Sequence, residues 1–198
     1  MRFLTTIRPL AVALLLLLLY GGTTGVFAQS HLRGQRFLSA SLGKVDRFDN
    51  SPLADGMGVH LETGRYNRRI NALKFTADYL RKTYLVRQAS QALLVPVEQY
   101  TLGYGYEGTL IRSGNRTRFL RLSGWGYAGY ESLNRDISEL AAGVSLSGRS
   151  RFLAGIDASV EVEIQPVVTG FRQRWALTPG AQPFHSCFYI GLRLNARQ

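Results

Sequence analysis

The chain is short of several things, and each shortage excludes something. It has a single cysteine, Cys187, so no intramolecular disulfide framework is available and stability must come from packing or from a membrane. Acids are scarce beside bases: 13 Asp and Glu against 24 Lys and Arg give a formal charge of +11. An exported protein with that balance could meet nucleic acid, lipid headgroups or acidic glycans. The bases nevertheless never form a run of five or more, so direct nucleic-acid binding is not expected. After the first few tens of residues no long apolar run remains to supply a membrane helix.

What the N-terminus does carry is a leader. Arg2 and Arg8 precede an unbroken apolar stretch from Leu10 to Leu19, and Val26-Phe27-Ala28 offers a signal-peptidase site. This predicts a signal peptide over residues 1–28 with cleavage between Ala28 and Gln29, and one domain over 29–198. The apolar core is short for the ~20 residues of a spanning helix. No cysteine follows the site, so lipid attachment there is excluded. Losing Arg2 and Arg8 takes the formal charge from +11 to +9.

The remaining chain reads as short runs that alternate with period 2, the signature of β-strands. Leu38, Ala40 and Leu42 alternate with Ser39 and Ser41; Met57, Val59 and Leu61 with His60 and Glu62; Leu73, Phe75, Ala77 and Tyr79 with Lys74, Thr76 and Asp78. Tyr100, Leu102, Tyr104 and Tyr106 share one face, and Leu120, Leu122, Ala128 and Tyr130 oppose Arg121, Ser123 and Trp125. Two further strands flank Gln165-Pro166, and a last one runs through "FHSCFYIGLRL". The connections fall at 46–55, 66–69, 81–95, 112–117, 131–150, 165–166 and 178–183, so long and short alternate up to the last, which is of medium length. Outer-membrane barrels sort their loops this way, with an even strand number and both termini on the short-turn side. The expected fold is therefore all-β: an antiparallel, up-and-down transmembrane β-barrel of about eight strands. Segments 81–95 and 131–150 are expected to face outward from the cell.

The stretch "ASVEVEIQPVVTGFRQRWAL" fixes the phase. A tight turn at Gln165-Pro166 sets Asp157 opposite Arg174 and Ser159 opposite Arg172, with Glu161 diagonal to Arg172. Opposite charges across a strand pair stabilise it, and a charge facing lipid costs ~2–4 kcal/mol at the midplane. Asp157, Glu161, Arg172 and Arg174 are thus expected as charge pairs in the lumen, with Val160, Val162 and Ile164 facing lipid. A soluble barrel, lipocalin-like, with its apolar face inward shows the same alternation and is the alternative.

Candidate chemistry is thin. His31, His60 and His185 have no metal-ligand spacing, and His185 with Cys187 supplies two ligands where a site needs three or four. His60 with Glu62 forms a possible acid–base pair for an outer-membrane enzyme or lipid-binding barrel. No G-x-S-x-G elbow accompanies it. "GYGYEG" and "SGWGYAGY" lack the lysine of a phosphate loop. Neither catalysis nor a cofactor nor a metal is expected. "RYNRR" and "RSGNRTR" concentrate arginine on predicted turns, either as solvated turns or as a docking surface for an acidic partner.

Several of these segments together resemble the TraO family of conjugative-transposon transfer proteins of Bacteroidetes-type elements. The resemblance runs from Gly34-Gln35 in "LRGQRFL" through "ADYLRKTYLV", "PVEQYTLGYGYEG", "GYESLN" and "VEVEI" to Arg172 and "IGLRL". "PVEQYTLGYGY" is its most specific piece. Arg33 stands where the family tends to have proline, and the end "LRLNARQ" lacks a terminal aromatic. The resemblance implies a non-enzymatic component of a conjugation apparatus in the outer membrane, with other apparatus proteins and outer-membrane lipid as its partners. It supplies no catalytic residues, and the oligomeric state is left open.

Overall fold

The computed structural model describes residues 31–46, 56–88, 91–133, 150–179 and 184–196. The expected leader, the Ala28–Gln29 cleavage site and nearly all of segments 46–55 and 131–150 lie outside those residues.

Eight strands follow one another: β1 (Arg36–Val45), β2 (Gly56–Tyr66), β3 (Ala72–Gln88), β4 (Gln91–Arg112), β5 (Arg118–Leu133), β6 (Arg151–Ile164), β7 (Val167–Ala176) and β8 (Phe184–Asn195). Each pairs antiparallel with its neighbours in sequence, and β1 pairs with β8 from Phe37↔Asn195 to Val45↔Cys187, closing the barrel. Closure leaves the wall without an open edge. No helix among the described residues is long and apolar enough to cross a membrane.

The side-chain alternation is inverted relative to a soluble protein. Leu38, Leu61, Phe75, Leu102, Phe152 and Ile190 stand on the outer wall, Leu102 as much as 70% exposed. Inside, Lys74, Glu107, Arg121, Glu163 and Arg193 are all at most 2% exposed. Aromatic pairs reinforce the outer wall, with ring centroids of Phe75 and Tyr104 4.8 Å apart and those of Tyr79 and Tyr100 5.1 Å apart. The Gly–Tyr alternation of β4 has a packing reason. The tyrosines point outward, while a Cβ on the inward Gly103 or Gly105 would strike the Trp125 side chain.

One end of the barrel carries the tight turns. The β2–β3 turn is held by Asn67, whose side-chain oxygen accepts from the N–H groups of Arg69 (2.8 Å) and Asn71 (3.1 Å). Ser113 and Asn115 do the same for the β4–β5 turn. Gln165 and Pro166 alone join β6 to β7. The segment ahead of β1 enters at this end too.

The connection expected over 81–95 is a correction. β3 runs on to Gln88 and β4 starts at Gln91, with Gln88↔Gln91 the last pair. The ribbon therefore continues beyond the points where β2 and β5 stop pairing with it, at Gly56↔Lys82 and Val97↔Leu133. The residues "TYLV" and "ALLV" are strand formers with no turn residue among them. Pro96, which cannot donate to a ladder, lies above the last β4–β5 pair, where a proline is tolerated.

Candidate functional site: the barrel lumen

The lumen is built from the inward positions of all eight strands, and it is filled. Nearest the turn end, Arg193 of β8 donates from Nη1 to Glu107 Oε1 at 3.0 Å and from Nη2 to Oε2 at 2.9 Å, a two-pronged contact across the barrel. The same guanidinium contacts Glu62 and lies 2.9 Å from Glu161 and 3.4 Å from Glu163. Arg121 contacts Glu107 and lies 3.0 Å from Glu163. Lys74 donates to Glu62 at 2.8 Å. Its ammonium also sits 4.4 Å from the centre of the Trp125 ring, a cation–π distance.

The middle storey centres on Trp125 and Asp78. His60 stacks on Trp125 with centroids 5.7 Å apart, and its two ring nitrogens meet Asp78 (2.5 Å) and Glu62 (3.3 Å). Arg174 donates from Nε to Asp157 Oδ1 at 3.0 Å and from Nη2 to Oδ2 at 2.8 Å; Nη2 also lies 3.3 Å from Asp78 Oδ2. Arg172 contacts Asp78.

At the loop end Gln99 donates to Glu131 at 2.8 Å, and Arg151 lies 2.7 Å from the same carboxylate. Just past β1, Asp46 accepts from Lys82 (2.7 Å) and from the Ser186 N–H (2.7 Å), with His185 Nδ1 2.8 Å away. Burial alone would push the Asp46 carboxyl up, but His185, Lys82 and Ser186 outweigh it and hold its pKa at about 2.

The residues singled out from the sequence divide accordingly. Asp157 faces Arg174 and Ser159 faces Arg172 in the β6–β7 register. Glu161 does not meet Arg172. It accepts from the Tyr189 hydroxyl at 3.2 Å and lies against Arg193, while Arg172 turns to Asp78 on the far wall. His60 and Glu62 are close, yet both nitrogens of His60 are taken by carboxylates, and Glu62 is taken by Lys74 and Arg193. The hydrogen-bonding groups of this pair are thus engaged with other side chains of the lumen. His185 and Cys187 line a cavity of about 20 Å³ beside Asp78 and Arg172, room for about one water molecule. Carboxylates of Glu62, Glu107 and Glu161 approach one another closely enough to hold a cation. Arg193 contacts all three, so a guanidinium already supplies the positive charge.

Two features were not foreseen. One is the cross-lumen web of Lys74, Glu107, Arg121 and Arg193. The other is a plug ahead of β1. His31 is 1% exposed, its Nε2 lies 2.9 Å from Glu163, and its ring packs 4.2 Å from Phe119 and 4.9 Å from Tyr66. Gly34 holds the chain there at φ 83°, a left-handed conformation suited to glycine. Its N–H bonds to Tyr66 O at 2.8 Å. Gln35 then accepts from the Leu32 N–H (2.9 Å) and donates to Ala196 O (2.8 Å), joining the two ends of the barrel wall.

A family model described as conjugative transposon protein TraO matches residues 32–196, from the plug to the residue that accepts from Gln35. No curated protein matches the chain. Among solved structures, the attachment invasion locus protein Ail of Yersinia pestis is 9% identical with a TM-score of 0.52, over 83% of this chain and 100% of Ail. Neisserial surface protein A is 14% identical with a TM-score of 0.50, over 81% of this chain and 95% of its own. At such identities the likeness is one of fold, that of outer-membrane β-barrels.

Proposed function

The chain belongs to the family of conjugative transposon protein TraO, and we propose that it is a non-enzymatic outer-membrane component of a conjugative DNA-transfer apparatus, anchoring or assembling that machinery. The observation that carries the membrane placement is the inversion of the barrel. Large apolar side chains form its outer wall while Glu107, Arg121, Glu163 and Arg193 are sealed inside. A soluble lipocalin-like barrel would put its apolar face inward and its charges in water, so the inversion favours lipid over that reading. Export through a leader cleaved between Ala28 and Gln29 fits the same placement. The tight-turn end then faces the periplasm, and the β3–β4 ribbon and segment 134–149 face outward.

The packed lumen sets the limit on mechanism. Eight strands enclose little more than side chains, and here they are bound to one another, so a single barrel passes no DNA strand. Its part is to hold or position other apparatus proteins, through its outer segments or its periplasmic rim. Lipid surrounds the wall, and catalysis has no role in this reading.

The test is fractionation of host envelopes, electrophoresis with and without boiling, and transfer frequency. The expected result is an outer-membrane protein whose unboiled band migrates differently. Deleting 134–149 is expected to keep that behaviour while lowering transfer. Recovery in the soluble periplasmic fraction would overturn the membrane placement, and unchanged transfer would remove that segment from the mechanism.

A further inference from the structure

At the tight-turn rim of this barrel two like charges stand opposite each other, and among the described residues no carboxylate is paired with them. Arg36 of β1 and Arg65 of β2 are directly opposite in the β1–β2 register, and both are exposed. Directly opposed residues have Cβ atoms ~4.5–5.5 Å apart, and like charges there are destabilising. Arg68 and Arg69 follow in the adjoining turn, also exposed. Among the described residues no carboxylate is exposed at this end, because Glu62, Glu107 and Glu163 are all turned into the lumen. Such a repulsive arrangement is relieved by an anion between the two guanidinium groups.

We propose that Arg36 and Arg65, with Arg68 and Arg69, bind the phosphate of an anionic phospholipid in the inner leaflet, an inference that rests on the outer-membrane placement. Three observations favour a lipid over a partner below the rim. Arg36 is in the same alternation phase as Leu38, and Arg65 pairs with Leu73; both apolar neighbours are more than half exposed on the outer wall. The two arginines therefore leave the barrel sideways, at headgroup height, and not toward the periplasm. Arg65 spends Nε on the Gly34 carbonyl at 3.0 Å, which steadies the side chain and leaves its two Nη groups for a two-pronged phosphate contact. Finally, a shallow cleft of about 630 Å³ opens on the side of Arg65 away from Arg36, lined by Arg65, Arg68, Arg69, Asn67 and the wall residue Tyr106. Tyr106 is a residue type suited to the membrane interface, so the cleft joins aqueous rim to apolar wall as a phospholipid does.

The test uses the full chain reconstituted in nanodiscs of phosphatidylglycerol with phosphatidylcholine, and native mass spectrometry of lipid retained after detergent release. Wild type is expected to retain phosphatidylglycerol over phosphatidylcholine, and R36Q/R65Q to lose roughly thirtyfold of that preference with its unboiled band unchanged. Equal retention of the two lipids by wild type, or an unchanged preference in R36Q/R65Q, overturns the proposal. So does displacement of the retained lipid by a single-stranded oligonucleotide at lower concentration than by phosphatidylglycerol vesicles, which would assign the rim to nucleic acid. Failure of wild type to enter nanodiscs as a heat-modifiable barrel would instead overturn the membrane placement itself.

Discussion

Arg193 on the last strand and Glu107 on the fourth meet across the lumen with both prongs engaged, at 3.0 and 2.9 Å. This one contact spans half the barrel, and around it gather Glu62, Glu161 and Glu163. Buried ion pairs give little net stability over apolar packing, but removing one partner leaves uncompensated charge.

Replacing Arg193 by methionine should therefore be severe. The four carboxylates around it would keep only Lys74 and Arg121 as nearby full cations. The expected loss is about 3–5 kcal/mol, read as a lower urea midpoint in detergent and as a weakened unboiled band. Replacing the exposed Arg112 in the same way should leave both measurements unchanged.

The Asp157–Arg174 pair is suited to a double-mutant cycle. D157N, R174M and the double variant should show a coupling of about 1–3 kcal/mol, because the pair is buried and bonded twice. Coupling near zero would mean that Asp78, 3.3 Å from Arg174, replaces Asp157 without loss.

Gly105 lies beneath Trp125, where an added Cβ would strike both that residue and the Gly124 carbonyl. G105V should cost about 1–3 kcal/mol through overpacking and shift the Trp125 fluorescence, since the backbone and Cβ that carry the ring must give way. The outward Leu102→Val should do neither.

Asp46, just beyond the wall, contributes to the pH dependence of stability. Its carboxyl is held at about 2 in the folded protein against ~3.9 unfolded, so the stabilisation is complete above about pH 4 and is lost as pH falls toward 2. D46N should lower the urea midpoint by an amount equivalent to about 2.6 kcal/mol at pH 7, and most of the difference should be gone at pH 2. A difference that persisted in full at pH 2 would place the effect on hydrogen bonding without charge.

Much of this was legible because a barrel wall obeys a period of two. Ser39, His60, Lys74, Arg121 and Glu161 could each be placed inward from their neighbours alone. Partner choice could not. Arg172 lies nearest Ser159 and Glu161 along the hairpin, yet its contact is Asp78, 94 residues away in sequence, brought close only by closure of the sheet. The outward extension of β3 and β4 was missed for a different reason: a basic residue at Arg81 reads as a strand end, although the strand-forming residues continue. His31 and Gln35 belong to a segment too short for periodicity, and only the Gly34-Gln35 resemblance marked the place.

The latch at Gln35 also dates the barrel's assembly. Its amide reaches Ala196 beyond the last strand, while His31 just before it rests on Tyr66, Phe119 and Glu163. The Gln35 bond can therefore form only once the chain beyond the last strand is in place, whereas the partners of His31 belong to earlier strands. A chain halted before Phe184 would lack the Ala196 acceptor for Gln35. Access of protease to the segment around Leu32 and Arg33 would then report whether the final strand has joined the first, a clock read from the opposite end of the polypeptide.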